Sequence, residues 1–396
     1  MKVEQLEKSN SFVIFLGCLV ALGPMSIDAY LPMSSSIALY FRTDLSQVSL
    51  TMSTYLAGNA VGQFLGGTFS DQIGRKKIGL IGLLIFFIAT MAIIFAANIG
   101  LVQVFRGIQA IGTGFVTVIC FAKLRDVYSA EELATKISNV VLVVLLGPIF
   151  APTIGVYMTG FGWQSVFVLL MFWSLALFFI YLLFIPETFS SAGHGFKVKH
   201  LFSSYSRVFK HRANEGWLPM KLTLFMGLSS AVFMVLVINS AYVAMGVFNM
   251  TPQKFAMIIA LHGVVLILLN RLVVKILKYD NPMLLLKHAN LVQVLGAASL
   301  LLSSLLDIFE PSLALPLSLL TVGVHGILHP VASGVYLGSF DEDVGAAASI
   351  NATFVLLFSV VIGSIGAILS RDGLDNLFLI VVLSSLAARL VLGRIK

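Results

Sequence analysis

Two ionisable residues sit inside apolar stretches of the first 120 residues, Asp28 and Arg106. An ionised side chain at mid-bilayer depth costs about 2.5–3.5 kcal/mol on the insertion scale, so its presence there points to function. The chemistry open to the two is reversible proton binding. A carboxylate takes up and releases a proton, and a guanidinium and desolvation pull that equilibrium in opposite directions. Asp28 falls near one end of its apolar run, where snorkelling to the surface is the competing account. Arg106 lies about seven residues into its run, and its competing role is a structural partner for a carbonyl or for Asp28.

Three histidines follow in the second half, His262, His325 and His329. A single His262 fits helix packing best. His325 and His329 are four apart and therefore share one helix face. A second proton site, a substrate contact, a weak metal pair and hydrogen bonding between helices all remain open for them. Two imidazoles without a nearby Asp or Cys make a poor metal site, so no metal and no cofactor are expected. Tyr30, Asn59, Gln63, Gln109, Asn239 and Tyr242 stand at depths where they would line a substrate cavity, as do Tyr336 and Asn351. Met33, Phe115, Phe233 and Met234 would supply its apolar lining.

The elements that position these residues are legible from hydropathy. The 396-residue chain is 58% hydrophobic and 11% charged, with mean hydropathy +0.99. A soluble domain carries about 25% charged residues, so the apolar excess here must face lipid. Runs of about 20 apolar residues, the length that crosses a bilayer, predict spans at about 11–33, 46–69, 78–97, 99–121, 137–159 and 163–185. A second six are predicted at about 217–246, 254–277, 283–306, 311–337, 344–369 and 373–393. The reading is an all-α integral membrane protein with two six-helix bundles, 1–185 and 217–396, joined by a polar linker at 186–216. The first run is too long for the apolar core of a cleaved signal peptide. Cys18 and Cys120 both lie in apolar runs, which excludes a disulfide framework. Of the 25 Lys and Arg residues, 21 fall on one set of loops and helix ends and 3 (Arg42, Lys254, Arg371) on the other, with Arg106 in mid-span. The positive-inside rule then places both termini in the cytoplasm.

Short motifs punctuate this frame. The segment after the second span runs from Gly67 through Asp71, Gln72 and Gly74 to Arg75, Lys76 and Lys77. Asp71 at a helix end can pair with Arg75 while glycines permit a tight turn, giving a latch that holds one conformation and releases in another. A plain positive anchor would need the basic residues but neither Asp71 nor the glycines. This segment resembles the signature loop of the major facilitator superfamily, although Gln72 stands where that family usually has Arg. Arg106 with Gln109 resembles the family's fourth-span motif. Gly147, Pro148 and Pro152 resemble the Gly-Pro motif of its antiporters. Pro186-Glu187-Thr188 closes the sixth span as in its drug-efflux branch. Asp28 to Pro32 and the stretch Leu124-Arg125-Asp126 resemble the Bcr/CflA-like subfamily. The likeness is dense in the first half and is one of hydropathy alone in the second.

The resemblance implies a two-domain rocker in the bacterial inner membrane, with proton-driven export of small amphipathic compounds by alternating access. It implies Asp28 and Arg106 for proton coupling, and Gly67, Asp71, Gly74, Arg75, Gly147, Pro148 and Pro152 for gating. The proton gradient would be the energy source, the partners would be small molecules, protons and lipid, and a monomer is expected. No nucleic-acid role is expected, because the basic residues lie in the gaps between spans. One alternative cargo is an endogenous anionic metabolite such as a carboxylate siderophore. The stretch Leu19-Val20-Ala21 lacks the additional acid found in some cation-exporting relatives. An enzyme is not expected: the chain has no Gly-x-Ser-x-Gly, no His-Glu-x-x-His and no phosphate-cradling loop.

Overall fold

A computed structural model describes residues 10–144, 146–188, 217–276, 281–340, 344–370 and 373–395. Most of the expected linker, and the side chains of Asp71 and Pro148, lie outside that set. The described residues are helical throughout, with no strand among them. They divide into two compact units, one drawn from Met1–Lys197 with Pro252–Ala260 and the other from Val198–Thr251 with Leu261–Lys396.

In the first unit, α1 spans Asn10–Asp28 and is followed by a 3-10 turn at Leu31–Met33 and α2 at Ser34–Phe41. Then come α3 (Leu45–Ile73), α4 (Arg75–Ile94) and α5 (Ile99–Val127). The unit continues with α6 (Ala130–Val144), α7 (Leu146–Met158) and α8 (Gln164–Phe184). The second unit opens with α9 (Leu218–Ile238), which runs on after Asn239 into a π-helical turn at Tyr242–Val247. After α10 (Pro252–Ile276) come α11 (Pro282–Leu305), α12 (Pro311–Gly323) and α13 (His325–Leu337). The last two are α14 (Val344–Leu369) and α15 (Leu374–Gly393).

Ten helical segments among the described residues are long and apolar enough to cross a membrane. The other two expected spans fall on α3 and on the α6–α7 pair. Proline sets several starts: Pro219, Pro252, Pro282 and Pro311 all occupy first-turn positions, where the missing N–H has no partner to lose. Two helices run past their expected ends. α3 continues through Asp71 to Ile73, and α5 continues through Lys123 and Asp126 to Val127. The backbone ladder continues where the apolar run of the sequence has ended.

The closest packing in the first unit joins α3 to α5. A methyl group at Gly58 would overlap the Gly107 carbonyl, and one at Gly62 would overlap the Ile111 backbone. The fit is reciprocal, since a Cβ at Gly114 would meet Asn59 and Gln63 backbone atoms. Backbone cannot swing aside as a flexible side chain can. Small residues therefore let these helices approach where no hydrophobic effect drives association. Gly67, at 3.4 Å from a Val118 methyl, is in ordinary contact. Gly62→Ala is therefore expected to cost about 1–3 kcal/mol through overpacking and to lower the thermal midpoint in detergent. Gly67→Ala should leave it unchanged. Equal midpoints for both variants would contradict the packing argument.

Candidate functional site

The first span breaks where its chemistry sits. Pro32 has no N–H to give the Asp28 carbonyl, and its ring would clash there if the helix continued. α1 accordingly ends at Asp28. The chain tightens at once: the Tyr30 N–H donates to the Ile27 carbonyl at 3.2 Å instead of reaching back to Ser26. The freed Ser26 carbonyl accepts from Arg106 Nη1 at 3.2 Å. Arg106, fully buried on α5, thus occupies the backbone position that the break leaves open.

Its other partners are neutral. Arg106 Nη1 also donates to Gln109 Oε1 at 2.8 Å, and its guanidinium carbon lies 4.2 Å from the Tyr55 ring centre and 4.7 Å from that of Tyr30. Nε has no hydrogen-bond partner among the described residues. Cation–π contacts contribute about 0.5–2 kcal/mol each and hydrogen bonds to a charged group about 1.5–3 kcal/mol. Together these exceed the insertion cost of one arginine. A buried cation is held without a carboxylate. Asp28, half-buried at the end of α1, makes no hydrogen bond or ion pair with another described residue. The expected Arg106–Asp28 pair is not formed.

A polar thread extends from the arginine through the packed helices. Gln109 donates to Thr90 at 2.7 Å. The Tyr55 hydroxyl donates to the Gly23 carbonyl at 3.3 Å and lies 3.2 Å from the Thr113 hydroxyl. Asn59 donates to Thr113 at 3.0 Å, and Gln63 to Asn59 at 2.6 Å. The Tyr30 hydroxyl sits 2.7 Å from Thr51. Tyr30, Asn59, Gln63 and Gln109 therefore belong to one network around Arg106. Asn59 and Gln63 are half-buried, whereas Tyr30 and Gln109 are fully buried and hold other groups rather than face open space. Tyr55 and Thr113 were missed. Tyr55 had a signal: Thr51, Tyr55, Asn59 and Gln63 repeat every four residues along one face of α3. On α7, Gly147 packs against Pro24, and Gly155 lies against the Ala29 backbone beside Asp28. Pro152 is buried on the same helix.

In the second unit, His325 stacks on Phe233, with ring centres 4.6 Å apart and planes 13° apart. The His329 ring lies 5.4 Å away. His325 Nδ1 has no hydrogen-bond partner among the described residues, and His329 is exposed. His262 reaches the Ser318 hydroxyl at 3.3 Å. Among the described residues no group of three His, Cys, Asp or Glu is arranged to hold a metal. Asn239 is fully buried and bonds back to the Val235 carbonyl, while Tyr242 donates to the Ser370 carbonyl at 3.0 Å. Here too the residue expected to face a cavity is part of the scaffold at Asn239.

The Gly67–Lys77 segment contains a turn of one residue. α3 ends at Ile73, Gly74 takes φ +107°, and α4 begins at Arg75. Only glycine adopts that backbone easily. A side chain there would also meet Glu187, whose carboxylate accepts from the backbone N–H of Arg75 and of Lys76, each at 3.0 Å. These are unsatisfied donors at the positive end of α4, a natural seat for an anion. The Arg75 side chain pairs with Asp126 at 3.2 Å and also contacts Ser70. Lys123 donates to the Pro186 carbonyl at 2.8 Å. The expected partner Asp71 has its side chain outside the described residues, so Asp126 and Glu187 are the acids seen to engage this turn.

Residues 14–364 match the sequence profile of the Major Facilitator Superfamily. The chain is 24% identical over 372 residues to a bicyclomycin resistance protein homolog of Haemophilus influenzae, covering 93% of this chain and 92% of that one. It is 36% identical over 175 residues to the multidrug resistance protein MdtL of Shewanella oneidensis, a match spanning 44% of each chain. Among solved structures it resembles the D-xylose-proton symporter, with TM-score 0.71, 15% identity and 95% of each chain covered. A POT family transporter in complex with 5-aminolevulinic acid superposes with TM-score 0.75 at 12% identity, covering 99% of this chain and 98% of that one. At such identities the structural likeness concerns the fold alone. Fold, profile and relatives agree with the drug-resistance motifs in the sequence, and the chain belongs to the major facilitator superfamily as a multi-pass membrane transporter of small molecules, not an enzyme.

Proposed function

We propose that the protein exports small amphipathic compounds from the bacterial cytoplasm in exchange for protons, by alternating access, with both termini cytoplasmic. The observation that carries this reading is the pairing of an acid-free buried arginine with an unpartnered aspartate at the same helix break. Asp28 is the proton carrier. Arg106 is a fixed positive charge whose hold on the Ser26 carbonyl ties proton binding to the shape of α1. At about 150 mV one proton supplies roughly 3.5 kcal/mol, enough for a gradient of a few hundredfold. The Arg75–Asp126 pair and the Glu187 cap are the latch that must open as the transporter changes state.

Cargo charge follows from burial. A carboxylate siderophore or similar anion would need to reach Arg106, which is fully enclosed by Tyr30, Tyr55 and Phe167. That enclosure favours drug efflux over anion export.

Three measurements test the proposal. Asp28→Asn in proteoliposomes should abolish uphill transport driven by a pH gradient while substrate counterflow persists. Continued concentration of substrate would move the proton elsewhere, with His325 and His329 next in line. Tyr55→Phe keeps the ring over Arg106 and should retain the wild-type pH profile of transport, whereas Tyr55→Leu and Arg106→Lys should shift it. Their affinities for anionic and cationic compounds should change by less than about threefold, since sites that share no partner act almost independently, within about 0.5 kcal/mol. A selective loss of anion binding in Arg106→Lys, which lacks the planar fork for a carboxylate, would restore the anion reading. Finally, Arg75→Ala and Glu187→Gln should slow exchange several-fold at unchanged substrate affinity. Altered affinity with normal exchange rates would contradict the latch.

A further inference from the structure

The second unit has a basic end at which none of its described acids stands. Lys221 lies in the first turns of α9, Lys287 in those of α11, and Arg389 and Arg394 at the end of α15. Side-chain bonds to backbone draw them together: Lys221 Nζ donates to the Arg394 carbonyl at 3.1 Å, and the Arg389 guanidinium to the Lys287 carbonyl. Four cations from three helices thus meet at one end of the unit. Both bonds go to neutral carbonyls, which satisfy donors and leave the charge.

The described acids of this unit are Asp307, Glu310 and Asp375, all at the opposite helix ends. At 1.5 Å per residue, Asp375 is about 20 Å along α15 from Arg389, and Asp307 about 30 Å beyond Lys287. Counted along the whole sequence, acids at this end are about half as many as the cations, so a positive excess remains. The sequence segments that connect at this end, 207–221, 271–287, 338–343 and 389–396, hold eleven Lys and Arg against five acids, Glu215, Asp280, Asp341, Glu342 and Asp343. The first unit is arranged differently: there Arg75 has Asp126, and Glu187 caps the neighbouring backbone.

What lies next to the cations is apolar and outward-facing. Beside the cations and within a turn of them, Leu224 on α9, Leu284 and Leu291 on α11, and Leu386 and Leu390 on α15 are between 41% and 69% exposed. Trp217, 42% exposed, stands at the head of α9, the level at which tryptophan marks a membrane–water boundary. A soluble anion would use the charges and ignore this surface. A phospholipid would use both.

We propose that Lys221, Lys287, Arg389 and Arg394 bind the headgroup phosphate of an anionic phospholipid whose acyl chains lie along the exposed leucines of α9, α11 and α15. Basic clusters between transmembrane helices attract such headgroups, and each cation near the surface adds to the attraction. Lys287 and Arg394 contribute only backbone to the bonds above, so K287Q/R394Q removes two charges and leaves both carbonyl contacts in place. The full-length protein would be titrated with phosphatidylglycerol, phosphatidylcholine and inorganic phosphate, and retained lipid counted by native mass spectrometry. Wild type should retain phosphatidylglycerol over phosphatidylcholine, and K287Q/R394Q should bind phosphatidylglycerol about tenfold more weakly or worse. The charge-keeping K287R/R394K should bind as wild type, which separates loss of charge from loss of fold. Equal phosphatidylglycerol binding by K287Q/R394Q and K287R/R394K would overturn the proposal. So would displacement of the lipid by inorganic phosphate at equal concentration, which would assign the cluster to a soluble anion.

Discussion

The constraint on which the first unit depends is that a guanidinium in an apolar interior must find acceptors and aromatic faces in place of water. Arg106 is fully enclosed, and no acid among the described residues pairs with it. The solution in this chain is a released backbone carbonyl. Pro32 ends α1 at Asp28, the 3-10 turn takes the Tyr30 N–H, and Ser26 is left with an acceptor that only a neighbouring helix can fill. Arg106 fills it, and two tyrosine faces supply the rest. Conformation at the break and charge on α5 are therefore not independent. Any rearrangement that re-forms the helix through Asp28 removes an acceptor from Arg106.

That coupling needs α3 and α5 to stay in register, since Tyr55 comes from one and Arg106 from the other. Backbone-to-backbone contact at Gly58, Gly62 and Gly114 fixes the register more firmly than side-chain packing would. The polar thread from Gln63 to Thr113 runs along the same seam. In a bilayer, interhelical hydrogen bonds and close van der Waals contact are the forces available to hold helices together. Both are concentrated here, and they are the reason that several polar residues expected on a cavity wall turn out to be scaffold.

How far the sequence revealed this varies with the physics involved. Hydropathy marks where backbone must be helical, so the helix positions were legible, while their bounds were not where α2, α3 and α5 run beyond the apolar zone, where α1 breaks at Asp28 and where α6 begins early at Ala130. Asp28 and Arg106 stood out because charges in apolar runs are expensive, and the structure places both at the break after α1. Burial within the bundle was not legible: Tyr30, Gln109 and Asn239 share the hydropathy of cavity residues, and only the packing of neighbouring helices distinguishes the two. Glu187 illustrates a different limit. Its place after the sixth span was plain, but its contact with the N-terminus of α4 depends on a separation of more than a hundred residues that no local pattern encodes. Gly74 was legible as a turn, not as a turn of a single residue.

The two units solve the problem of charge at the membrane surface in opposite ways, and the difference bears on how each can move. At Gly74 the cations are matched within the protein by Asp126 and Glu187, through contacts between α4, α5 and the end of α8. Internal matching is short-ranged and breakable, so it stores a preference for one helix arrangement that a conformational change must overcome. Where α9 and α11 begin and α15 ends, the bonds run from cation to carbonyl, and no described acid of the unit stands beside the cations. Repulsion among them is relieved by whatever anion lies at the surface, and that relief is the same in every state in which the cluster reaches the lipid. A gate requires the first arrangement. An anchor requires the second.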